Sequence, residues 1–187
     1  MDQFSYLSVL LSIILGLAIT QVLQGFRGIL LARSRVRTYW PVLLWAIGLL
    51  AMCVQGWWAN FGLREVVDWT FGQFTVVLLQ MVFTYMLTAL VFPDFSGDQS
   101  VDLREHYYAH ARWFFGLFIA ALITSLAKDL VNSGHLAEPT NVGFHVVFIA
   151  AFLIATLTQS ERYHKALSLV GIGAFAAYTV ILFSRLH

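Results

Sequence analysis

The chain has 187 residues, of which 59% are hydrophobic and 11% charged, and its formal net charge is +1. Its mean hydropathy is +0.76. A soluble domain carries about 25% charged residues. So few charges cannot cover a water-facing surface, and the wealth of Phe, Leu, Val and Trp excludes disorder. A net charge this small leaves no face basic enough for nucleic acid. What fits is an all-α, polytopic helix bundle in a lipid bilayer, with short loops and no soluble domain.

A membrane-crossing helix needs about 20 mostly apolar residues. Six runs qualify, at about 4–31, 39–61, 69–92, 112–127, 141–158 and 163–183, and an interfacial helix is expected over about 101–111. The opening Met1-Asp2-Gln3-Phe4 lacks a positive leader region, so the first run reads as a retained helix. Pro41 falls in the first turn of the second run, where a missing N–H costs little. Pro93 stops the third, and Pro139 precedes the fifth. The lone Cys53 can form no internal disulfide, and no CxxC pair is present. Runs such as Leu10-Leu11-Ser12-Ile13-Ile14-Leu15 do not alternate, which excludes the strands of a membrane barrel.

Basic residues set the expected orientation. Arg27, Arg33, Arg35, Arg37, Arg104, Arg112, Arg162 and Lys165 fall on one side, while Arg64, Lys128 and Arg185 fall on the other. The first side is expected to be cytoplasmic, which places both termini outside a cell membrane. Trp40 and Trp113 begin spans on the basic side, and Trp57, Trp58 and Trp69 mark the opposite ends. Indole rings prefer that headgroup level. Trp45, one turn deeper, is expected to pack between helices.

Four constellations bear on function. In the first span, Ser8, Ser12, Gly16, Thr20, Gln24 and Gly28 recur every four residues. Such a ridge of small side chains suits close helix packing, within the chain or against another copy or another membrane protein. Gly116, Ala120 and Thr124 in the fourth span, and Gly173 and Ala177 in the sixth, repeat the theme.

The second constellation is a set of amides and a hydroxyl: Gln21, Gln24, Gln55, Asn60, Gln80 and Thr84. An amide facing lipid leaves donors and acceptors unpaired at a cost of several kcal/mol. These groups are expected to face other helices or to line a polar path or ligand cavity. The third is Asp102, His106 and His110, spaced four apart, with Glu105 beside them and His164 at the same side. On a helix they would form one stripe, a candidate metal site or a solvated interfacial face. The fourth is Lys128-Asp129, His135, Glu138 and His145 at the opposite side, where His145 is a candidate for ligand binding or proton relay.

Walker loops, nucleophile elbows, arginine ladders and potassium-filter sequences are absent. No cofactor is implied. The leading expectation is a small transporter, channel or solute-binding subunit with an amide-lined path. A scaffold, sensor or complex subunit acting through helix association is the alternative. A metal-dependent enzyme at the cytoplasmic face is the third.

Overall fold

The structure is a computed structural model that describes residues 3–66, 68–95, 100–136 and 138–183. Asp2 and Arg185, which entered the charge argument, lie outside the described residues. Among those described, six helices are long and apolar enough to cross a membrane. They are α1 (Gln3–Leu31), α2 (Trp40–Ala59), α3 (Phe71–Leu90), α4 (Leu103–Ser133), α5 (Pro139–Leu157) and α6 (Glu161–Phe183). The chain is thus an all-α bundle, and each expected span is met by a helix.

Local chemistry fixes the helix ends. Pro41 occupies the first turn of α2, and a 3-10 turn over Asn60–Glu65 continues that helix. Thr70 and Gln73 form a reciprocal capping box before α3, with the Gln73 N–H donating to Thr70 Oγ1 at 3.2 Å and the Thr70 N–H to Gln73 Oε1 at 2.8 Å. Helix α4 starts where Asp102 Oδ1 accepts from the N–H groups of Arg104 and Glu105, at 2.8 and 3.2 Å. It ends at Gly134, whose φ of 74° is a left-handed cap suited to glycine.

One expectation changes here, that for Asp102. The interfacial segment over 101–111 and the fourth span run on in one continuous helix of 31 residues, because no Gly or Pro lies at their junction between Val101 and Trp113. At 1.5 Å per residue it is about 46 Å long, more than a hydrocarbon core of about 30 Å requires. Asp102 is not on the helical stripe. It belongs to a two-residue strand, β2 (Val101–Asp102), paired in parallel with β1 (Val36–Arg37). The Val101 N–H donates to the Arg35 carbonyl at 2.9 Å, and Arg37 meets Asp102 at 3.4 Å. The α1–α2 and α3–α4 connections are stapled together at this end.

In packing order the helices run α1, α3, α4, α5, α6, α2 and back to α1, which closes a ring. At the end bearing most arginines the ring is filled. Trp45 of α2 reaches across to α4 and α5, with its ring centroid 5.9, 5.6, 5.5 and 5.9 Å from those of Phe114, Phe115, Phe118 and Phe152. Most of these pairs are edge-to-face, the arrangement that aligns a ring's positive edge with its neighbour's negative face. Just beyond, Tyr107 donates its hydroxyl to Nδ1 of the fully buried His164 at 2.9 Å, and His164 Nε2 donates to the Thr158 carbonyl at 3.0 Å.

The small-residue ridge does not pack inside the chain. The buried stripe of α1 is Leu11, Leu15, Ala18, Val22 and Gly25. Ser12, Gly16, Thr20 and Gln24 point outward, and a side chain built at Gly16 would meet nothing within 4 Å. The same open space surrounds Gly116 and Gly173; Ala177 is exposed and Ala120 partly so. Ser8 turns its hydroxyl onto the Ser5 carbonyl at 3.0 Å. The physical reason is that larger α1 side chains supply more contact with α3 than the ridge does. Of the ridge, Gly28 alone is in close contact, with Phe95 over it as Phe92 lies over Gly25.

Candidate functional site

Towards the other end the ring opens around a cavity of about 720 Å³. Its floor is the aromatic cluster of Trp45, Phe118 and Phe152, and its rim carries Glu65, Asp68, Asn132 and Asn141. Each helix from α2 to α6 contributes a face at helical spacing. On α4 that face is Phe118, Ala121, Leu122, Ser125, Lys128, Asp129 and Asn132, which repeats at three and four residues as one side of a helix must. On α5 it is Asn141, His145, Phe148 and Phe152, and on α6 it is Gly171, Ile172, Phe175 and Tyr178.

The structure divides the expected polar path in two. Gln55, Gln80, Thr84 and His145 line the cavity together. Gln21 and Gln24 do not. The Gln21 amide donates to the Tyr85 hydroxyl at 3.3 Å between α1 and α3, and Gln24 lies on the outer surface. Helix α1 reaches the cavity only through Leu15.

Among the described residues, several polar atoms of the cavity-lining side chains lack protein partners. Gln80 Oε1 and Asn132 Oδ1 are buried with no donor to them. Asn60, 8% exposed, has only a long 3.8 Å contact from Nδ2 to Met81 Sδ. Thr84 spends its hydroxyl on the Gln80 carbonyl at 2.9 Å. Buried polar atoms left unpaired are costly in a low-dielectric interior. Water or a polar solute in the cavity would satisfy them.

Besides Glu65 and Asp68 at the rim, a polar and titratable group of the cavity comes from three helices. Lys128 and Asp129 sit on α4, His145 and Asn141 on α5, and Tyr178 on α6. Tyr178 donates to Asn141 Oδ1 at 3.2 Å. His145 is only 3% exposed, and its Nδ1 donates to the Asn141 carbonyl at 2.9 Å. Lys128 lies five residues before the end of α4, about 8 Å along the helix, and His145 six residues into α5, about 9 Å. Their depths therefore match. Of this group the sequence offered Lys128, Asp129 and His145; Asn132, Asn141 and Tyr178 were missed. The signal for Asn132 and Asn141 was their four-residue spacing from Lys128 and His145; Tyr178, on α6, carried none.

The histidine stripe is not assembled into a metal centre. His106 Nε2 donates to the Leu90 carbonyl at 3.0 Å, holding the last turn of α3, and His110 Nδ1 donates to the His106 carbonyl at 2.9 Å. The two rings are 4.4 Å apart. Asp102 is occupied as the cap of α4, and both ring nitrogens of His164 are bonded elsewhere. Among the described residues, no group of three or more His, Cys, Asp or Glu is placed to hold a metal. Comparison of the chain with family models, with curated proteins and with solved structures finds no match.

Proposed function

We propose that this membrane protein binds a small solute inside its helix ring and carries it across the bilayer, with the basic end cytoplasmic and both termini outside. The observation that carries the reading is the cavity. It has the volume of a small-molecule site, its wall combines apolar rings with a few convergent polar groups, and it is closed at one end only. A cup with a packed floor suits binding followed by a conformational step better than it suits an open pore. Gln80 is the group on which the reading turns, because its carbonyl oxygen is buried beside the cavity without a donor. Mass spectrometry of gently purified protein should find a retained small molecule, and Gln80→Leu should abolish its retention or flux while the protein still folds. Retention by the variant equal to that of the native chain would sink the reading.

A second reading has its own support. The outward ridge of Ser12, Gly16 and Thr20, with the Gln24 amide beyond it, presents a small-residue surface that nothing in the chain covers. It favours a scaffold or subunit role through helix association. Stoichiometric co-purification of a membrane partner, lost on Gly16→Leu, would establish it.

A further inference from the structure

From the geometry of Lys128 and His145 we infer that the solute is a small organic acid, its carboxylate held between these two side chains and its apolar body directed at the aromatic floor, and that His145 takes up a proton as the acid binds. The inference rests on the binding reading above and gives it a ligand class. Lys128 faces the cavity from within a membrane-crossing helix and makes no ion pair among the described residues. An ammonium inside a span calls for an anion. The neighbouring carboxylates do not meet that need. Asp129, beside Lys128 on the cavity face of α4, attracts it at a distance but forms no ion pair with it among the described residues and is itself engaged, and Glu65 is paired with Arg64 at 3.1 Å. Asp68 is exposed at the rim, where water and salt screen it.

His145 supplies the second, independent feature. A carbonyl only accepts, so the bond to the Asn141 carbonyl fixes the ring proton on Nδ1. Nε2 then carries a lone pair, has no protein partner among the described residues, and belongs to a side chain 97% buried on the cavity wall. The groups around it are Lys128 and Asp129 of α4, Asn141 of α5 and Tyr178 of α6. A lone pair repels a carboxylate. Contact requires a proton on Nε2: one N–H bond forms as one bond to that proton breaks, either in a solvent or buffer acid or in the O–H of the carboxylic acid, which leaves as carboxylate, and the neutral ring becomes an imidazolium. The bound state is then an anion between two cationic donors, with no other bond made or broken. Phe148, Phe152 and Trp45 lie deeper on the same wall and receive the apolar part.

Benzoate is the probe, with neutral benzamide and cationic benzylammonium of similar shape as controls, on the full chain in zwitterionic lipid nanodiscs. Benzoate is expected to raise the melting temperature and the controls are not. Calorimetry at pH 7.5 in buffers of different ionisation enthalpy should report close to one proton taken up per benzoate. Lys128→Met should weaken benzoate about 10- to 100-fold, the range that a lost charge-assisted hydrogen bond gives, and Lys128→Arg should restore most of it. His145→Asn, which keeps a donor for the Asn141 carbonyl, should remove the proton uptake; if that variant does not fold, the buffer series on the native chain decides the point. Benzoate binding without proton uptake, or undiminished in Lys128→Met, overturns the inference. Stabilisation by benzamide or benzylammonium but not by benzoate overturns it too, yet leaves the cavity a binding site. Silence of all three probes counts against both.

Discussion

Tyr107→Phe removes one oxygen from the closed end of the ring, and the structure gives the cost. The hydroxyl donates to His164 Nδ1 at 2.9 Å, and His164 is 0% exposed, with Nε2 already committed to the Thr158 carbonyl. Without the hydroxyl, Nδ1 is an acceptor that neither water nor another side chain replaces. Orphaning a buried acceptor costs about 1–3 kcal/mol in soluble proteins. Helix-to-helix hydrogen bonds in membranes average about 0.6 and reach about 1.7 kcal/mol, because the unfolded helices also find partners in lipid. Full burial places this bond near the top of the membrane range, at about 1.5 kcal/mol. For a chain of this size that corresponds to a fall in melting temperature of roughly 3–6 °C. Thermal melts of both proteins in the same micelle, followed by tryptophan fluorescence, measure it. Tyr108→Phe is the control, since its 3.2 Å contact joins two hydroxyls and should cost less. In a His164→Phe background, Tyr107→Phe should cost almost nothing further. A silent Tyr107→Phe, or an undiminished cost in that background, would refute the bond.

Two further outcomes separate packed from unpacked surfaces and test the orientation. Gly25→Ala drives a methyl into the Phe92 ring and should destabilise the monomer by about 1–3 kcal/mol, whereas Gly16→Ala, with open space around it, should be neutral or gain up to about 1 kcal/mol of helix propensity; melts of the two variants side by side give the sign. In a Cys53→Ala background, cysteines placed at the exposed Ser34 and Glu138 should react with an impermeant maleimide in intact cells only at Glu138, and labelling of both from outside would exclude the topology.

The six spans were readable because hydrocarbon imposes one demand along a whole helix, and that demand is written in composition. Which face of a span looks inward is a weaker signal, as α1 shows. Its small-residue ridge repeats more regularly than its buried stripe of Leu11, Leu15, Ala18 and Val22, yet lipid and protein are equally apolar neighbours, so hydrophobicity cannot choose between faces. Polar residues choose better. Gln55 and Gln80, with Thr84 beside them, were placed on a path from the cost of a bare amide and His145 from that of an ionisable group in a span, and they share the cavity. The same argument held for Gln21 as an amide facing another helix, bonded to Tyr85 and not on the path, and failed for Gln24, on the outer surface. The histidine spacing was legible in part. Four-residue steps place rings together on a helix, but capping claimed Asp102 and backbone carbonyls claimed His106 and His110, neither of which depends on spacing alone.

The two-residue pairing of β1 with β2 has a mechanical meaning out of proportion to its length. Together with the Arg37–Asp102 contact it binds the first hairpin, α1–α2, to the second, α3–α4, at the plugged end. The third hairpin, α5–α6, has no such tie among the described residues. Side chains hold it there, among them Arg104 to Glu161 at 2.9 Å, Tyr107 to His164, and the edge of Phe152 against Trp45. Two hairpins are thus joined at this end through backbone and the third through side chains, so a change that parted the third hairpin from the others would cost side-chain contacts and leave the backbone ladder intact.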